Sequence, residues 1–232
     1  MSAAPDPARL RDAATVILLR RDGGSGRVLM GQRGANAAFM PSKYVFPGGA
    51  VDAADAEVTL GPADPVSHAR LGFDVASGAP GPDALLGAAL RELAEETGLL
   101  IGQPGDSDIA LYREAGVQPD ISGLHFVFRA VTPPGRPRRF DARFFLADAA
   151  QIHGDPDDFS RACDELSHLH WVGLDEVRAL QLPFITEVVL AEIASIAAAA
   201  GEGKLRPPAS VPFFDNRDCA PRFAQIGAAA CA

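Results

Sequence analysis

The sequence predicts an α+β domain with a mixed β-sheet held between helices. Three observations carry this expectation. Aliphatic and β-branched runs fill the first fifty residues, a long amphipathic helix signal sits in the middle, and a second long helix signal comes late. Early strands with helices in the middle and at the end give an α+β order, not the strict alternation of a parallel α/β fold. At 232 residues the chain is long enough for one well-buried domain. We read 1–232 as a single domain, with an insertion at about 50–82 and a tail at about 203–232.

The elements follow in order. Residues 13–20 and 27–32 are aliphatic, β-branched runs, and Asp22-Gly23-Gly24 between them marks a hairpin. Tyr44, Val45 and Phe46 begin another extended piece that leads into Pro47-Gly48-Gly49, a loop signal. The central helix is expected over 84–97, where Leu86, Ala89, Leu90, Leu93 and Thr97 recur at helical spacing. Asp83 suits its N-cap, and Gly98 a left-handed C-terminal cap. Further strands are expected at 99–101, 124–131, 140–146 and 168–172, the last placing His168 and His170 on one face. A short helix is expected at 175–180, and Pro183 introduces a longer one over 184–200. Within the tail, Val211-Pro212-Phe213-Phe214 is expected to dock on the domain while the last few residues fray.

Composition excludes several classes. A formal charge of −9 argues against a nucleic-acid-binding surface, which needs basic residues. Residues 191–200 are apolar but too short to span a bilayer, and the first twelve residues lack a signal-peptide core, so no membrane partner is expected. Cys163, Cys219 and Cys231 have neither zinc spacing nor a disulfide framework, which points to a reducing cytoplasm.

The chemistry is concentrated in Arg91-Glu92-Leu93-Ala94-Glu95-Glu96-Thr97-Gly98. On a helix, Arg91, Glu95, Glu92 and Glu96 fill one continuous arc opposite the apolar stripe. Glu92 and Glu96, one turn apart, repel by roughly a few tenths of a kcal/mol. A divalent cation turns that repulsion into attraction, because hard cations prefer carboxylate oxygens.

With the strand and glycine loop upstream, the chain resembles the Nudix hydrolases, whose box reads G-x5-E-x7-R-E-U-x-E-E-x-G-U with U apolar. Gly49 matches the first glycine; Arg91, Glu92, Leu93, Glu95, Glu96, Gly98 and Leu99 match the second half without a gap. The first half departs from the pattern. Counting back from Arg91 puts Asp83 where the first glutamate belongs, and 33 residues (50–82) stand where the pattern has five. Upstream, Arg33 and Phe46-Pro47-Gly48-Gly49 keep the spacing of Nudix enzymes that act on coenzyme A, while Ala38 and Ser42 replace an arginine and a glycine of that pattern. Phe39-Met40-Pro41 and Asp52-Ala53-Ala54-Asp55 are similar to the subgroup related to the peroxisomal coenzyme A diphosphatase, which also carries an insertion in its box.

The resemblance implies an α/β/α sandwich and metal-dependent cleavage of a diphosphate linkage in a small nucleoside diphosphate-X substrate, with coenzyme A or an acyl-CoA in view. It implies Mg²⁺ or Mn²⁺ held by Glu92, Glu95, Glu96 and the Gly48 carbonyl. Arg91, Glu92 and Glu95 become the catalytic residues, with Glu92 or Glu95 as general base and Arg91 orienting a glutamate. A homodimer is the assembly it suggests. Arg33, Arg139 and Arg143 are candidate substrate contacts, the last two from a basic cluster with Arg136 and Arg138 around Pro133-Pro134-Gly135. Glu165 is a candidate extra carboxylate. The rival expectation is a catalytically silent Nudix-fold sensor that binds a nucleotide or an ADP-ribose-like ligand.

Overall fold

Apolar side chains along residues 10–20 divide between two cores, which makes the first strand the middle of the protein. A computed structural model describes residues 9–21, 24–35, 37, 39–218 and 220–227. In it β1 (Leu10–Arg20) sends Ala14, Val16 and Leu18 to one core and Ile17 and Leu19 to the other. A strand covered on both faces needs apolar residues at both parities. β1 turns back antiparallel into β2 (Arg27–Arg33), with Leu19 opposite Val28, as the hairpin signal predicts. Asp22 and Gly23 of that turn, like Ala38, Cys219 and Cys231, lie outside the described residues. β3 (Tyr44–Val45) then pairs with β2, and β4 (Gly48–Ala50) with β1.

A 3-10 turn (Ala53–Glu57) and α1 (Pro65–Leu71) follow. The central helix is α2 (Pro82–Thr97), whose N-cap is Gly81 and not Asp83. Pro82 occupies the first helical position, where its fixed φ and missing N–H are tolerated, so Asp83 falls inside the first turn. Its carboxylate meets the His68 ring at 3.0 Å. Gly98 ends the helix at φ 76, the left-handed cap expected of it.

Next come β5 (Leu100–Pro104), α3 (Ala110–Ala115) and β6 (Val117–Pro119), of which the sequence pattern showed only the first. β7 (His125–Val131), β8 (Arg139–Asp148), β9 (Ile152–His153) and β10 (Leu166–Gly173) lead to α4 (Phe184–Ala200). The short helix expected at 175–180 is a 3-10 turn, Val177–Ala179. β11 (Val211–Asp215) and β12 (Arg222–Ile226) complete the chain, and 228–232 lie outside the described residues.

Among the described residues nine strands form one mixed sheet. Its main path runs β10-β2-β1-β8-β7-β11-β12, and a second sheet runs β6-β5-β9. α4 covers one face of the main sheet through Val189, Leu190 and Ile193. α2 covers the other through Leu85, Leu86, Leu90 and Leu93, with Ile101 of the small sheet in the same core. Each of these buried leucines contributes on the order of 2 kcal/mol. The result is the predicted sheet between helices. The tail does more than dock, since β11 extends the main sheet parallel to β7, with Phe213 opposite Arg129. His168 and His170 fall outside simple alternation. The ladder slips between Ser167 and His170, and His168 takes φ 52. No helix among the described residues is long and apolar enough to cross a membrane.

Candidate active site

The backbone of β4 lies against the carboxylate arc of α2. The Gly48 N–H donates to Glu96 Oε2 at 2.7 Å. At Gly49 a Cβ would stand 2.5 Å from the carboxylate carbon and both oxygens of Glu92, so only glycine leaves room for that carboxylate. The three glutamates face different surroundings. Glu96 is 2% exposed, Glu92 is largely covered, and Glu95 is half exposed.

Arg91 ties the group together. Its Nη1 donates to Glu92 Oε1 at 2.8 Å and to Glu95 Oε2 at 3.2 Å, and its Nη2 donates to the Ala50 carbonyl at 3.0 Å. The other side of the guanidinium is gripped by a residue the helix pattern did not single out. Asp55, in the 3-10 turn, accepts from Nε at 2.8 Å and from Nη2 at 3.0 Å. This bidentate pair pushes the Arg91 pKa up, chiefly through the Asp55 hydrogen bond. Asp83 is therefore displaced as the first-half carboxylate. Five residues separate Gly49 from Asp55, the spacing the box requires, so a forward count from the glycine finds it. The inserted length begins after Asp55, not at about 50.

Burial lifts the Glu96 carboxyl to about 8, with Glu92 and Glu165 adding to the effect and the Gly48 N–H opposing it. Burial also raises Glu92, partly offset by Arg91. Glu96 Oε1 is buried without a hydrogen-bond partner. The unpartnered oxygen leaves room for a cation contact. Among the described residues no three acidic, histidine or cysteine side chains form a ready-made metal cage. Magnesium usually takes one or two carboxylates and completes its shell with water and substrate phosphates. Hard oxygens, an orphaned carboxylate atom and two carboxyls raised by burial fit that mode, and Glu92, Glu95 and Glu96 are the candidate donors.

Two further candidates arrive from other elements. Arg33, at the end of β2, donates from Nη2 to Glu165 Oε1 at 2.9 Å, and both charges act on Glu96. The Cys163 N–H donates to the Glu95 carbonyl at 2.8 Å, which fixes the segment leading to Glu165 beside the end of α2.

Arg139 and Arg143 are engaged differently from the expectation. Arg139 donates to the Thr132, Asn216 and Arg217 carbonyls, holding the loop after β11. Arg143 is 1% exposed, bonded to Asp12 and to the Asp141 carbonyl, next to the buried Arg129–Asp141 pair. Alternation along β8 puts Asp141 and Arg143 on the same inward face, where Arg143 is covered and bonds through Nη1, its Nε and Nη2 being buried without partners.

No family model matches the chain. The NUDIX hydrolase of Alicyclobacillus acidocaldarius superposes with a TM-score of 0.57 and 28% identity, covering 86% of this chain and 99% of that one. The fold is thus the Nudix fold. In sequence the chain is 28% identical over 185 residues to the putative nudix hydrolase 7 of Caenorhabditis elegans, a match covering 70% of this chain and 51% of that protein. The chain spans about half the length of this curated relative. Together with the box on α2, these two likenesses support membership of the Nudix hydrolase family.

Proposed function

We propose that this chain is a divalent-cation-dependent hydrolase of a diphosphate linkage in a nucleoside diphosphate-X substrate. The observation that supports it most is the buried Glu92–Glu96 pair against Gly48 and Gly49, with one Glu96 oxygen left without a partner. Mg²⁺ or Mn²⁺, when held by Glu92, Glu95, Glu96 and the Gly48 carbonyl, supplies charge neutralisation for the diphosphate and acidifies bound water. The chain's own groups supply the rest. Arg91, anchored by Asp55, holds Glu92 and Glu95 in orientation. Glu92 or Glu95 accepts the proton of the attacking water as its oxygen bonds to phosphorus. The bridging P–O bond breaks, and the leaving phosphate departs with its electron pair. Arg33 faces the same region and offers donors to phosphate oxygens. Its spacing to Phe46-Pro47-Gly48-Gly49 puts coenzyme A and its acyl esters at the head of the candidate substrates.

A diphosphate panel with Mg²⁺ and with Mn²⁺, products read by mass spectrometry, tests the proposal. Turnover of at least one member is expected. Glu95→Gln and Glu96→Gln should each lower kcat by orders of magnitude with the fold intact, and near-normal turnover in both ends the reading. A second reading is a sensor that binds such a ligand uncleaved. Stoichiometric binding without phosphate release by the wild type would select it.

A further inference from the structure

We infer that Glu165 is an internal competitor for the guanidinium of Arg33, and that a cation entering between Glu92 and Glu96 draws it away so that Arg33 can take a phosphate. The inference rests on the hydrolase proposal and concerns how the site is readied. Arg33 ends β2, and its backbone register sets Leu166 opposite it, so the residue before β10 falls beside its side chain. The pair is unequal. Arg33 is 16% exposed, with its Nε buried and lacking a partner, whereas Glu165 is 53% exposed. One member is largely covered and the other stands half in water.

Three carboxylates and this arginine share one electrostatic neighbourhood. Glu165 acts on both Glu92 and Glu96, and Arg33 acts on Glu96. With no cation, Glu165 is repelled by Glu92 and attracted by Arg33, and the observed ion pair is the outcome. A divalent charge beside Glu92 and Glu96 reverses the field that Glu165 feels. Its carboxylate, itself half open to water where such pairs are weak, then gains more by turning to the cation than by staying on the guanidinium. Arg33, already short of partners, is left with guanidinium donors for diphosphate oxygens. Guanidinium and phosphate form strong charge-assisted bonds. Cation and substrate would therefore bind with positive coupling, each favouring the state the other needs. No covalent bond changes in this exchange.

The test uses the full chain and two binding measurements, neither requiring turnover. α,β-Methylene-ADP is titrated calorimetrically in the presence of EDTA, and Mn²⁺ is titrated without nucleotide by electron paramagnetic resonance. Glu165→Gln should bind the analogue roughly two- to five-fold more tightly without metal, the range expected for losing a half-exposed ion pair. The same variant should bind Mn²⁺ more weakly. In an Arg33→Gln background, Glu165→Gln should no longer change analogue affinity. Equal analogue affinities for wild type and Glu165→Gln, including no detectable binding by either, overturn the inference. So does an unchanged Mn²⁺ affinity. Turnover of the substrate panel alongside either result would leave the hydrolase proposal standing while this one falls.

Discussion

Replacing Asp55 by asparagine separates the geometric account of this site from a merely local one. Asparagine keeps the size of the side chain and one acceptor oxygen, but it turns an amide NH₂ toward a guanidinium that already donates twice to this residue, at 2.8 and 3.0 Å. Asp55 is 2% exposed and Arg91 largely covered, so the pair is poorly screened. Breaking a buried pair by removing one partner costs about 3–5 kcal/mol. Arg91 keeps the Ala50 carbonyl, Glu92 and Glu95, which puts the expected loss near the lower end, about 3 kcal/mol. The functional effect comes from orientation. Once Asp55 no longer anchors it, Arg91 can swing with Glu92 and Glu95, and loss of such an outer partner typically lowers metal affinity or activity about 10- to 100-fold. Urea unfolding would measure the first effect, and Mn²⁺ titration with kcat the second. Asp83→Asn is the control, because that carboxylate is exposed and meets only His68. An Asp55→Asn protein with wild-type stability and metal affinity, or a larger effect from Asp83→Asn, would refute the assignment of Asp55 to the box.

Gly49→Ala should lower Mn²⁺ affinity at least about ten-fold, since its Cβ would fall 2.5 Å from the Glu92 carboxylate and push it aside; stability should change little, because the displaced atoms end a flexible side chain. Arg139→Glu should lose about 2 kcal/mol of stability with KM unchanged, its three carbonyl contacts being structural; thermal unfolding and steady-state kinetics check both halves. His125 gives a pH signature. Burial depresses its pKa below the ordinary 6.5, so below pH 6.5 the unfolded chain takes up a proton that the folded chain refuses, and stability falls as pH falls. Between pH 7.5 and 5.5 the urea midpoint of wild type should fall relative to that of His125→Gln.

What was legible in the sequence was whatever local periodicity and caps decide. α2 and α4 follow from apolar spacing, Gly98 and Pro183, and the carboxylate arc follows from α2. Asp55 is not visible from the helix pattern, because its bond to Arg91 spans 36 positions. Residues 105–119 show no clear period because α3 and β6 are only six and three residues long. They are held by pairing of β6 with β5 and by the Tyr112 hydroxyl accepting from the Ile101 N–H, neither of which periodicity reveals. Arg143 misled for the opposite reason. Arginine next to a proline-rich turn suggests a wet surface, yet strand register turns it inward onto Asp12 and Asp141.

The parallel pairing of β1 with β8 also governs the order of assembly. Leu10 meets Arg139 and Leu19 meets Asp148, so the earliest strand waits for a partner 129 positions along the chain. Until then β2 can cover only one edge of a strand whose Val16, Ile17, Leu18 and Leu19 are all apolar. Long-range parallel contacts must form before they reward the loop closure they require, which slows folding. During synthesis this strand is therefore the segment most exposed to mispairing. A chain shortened before β8 would be left with the centre of its sheet unpaired on one side.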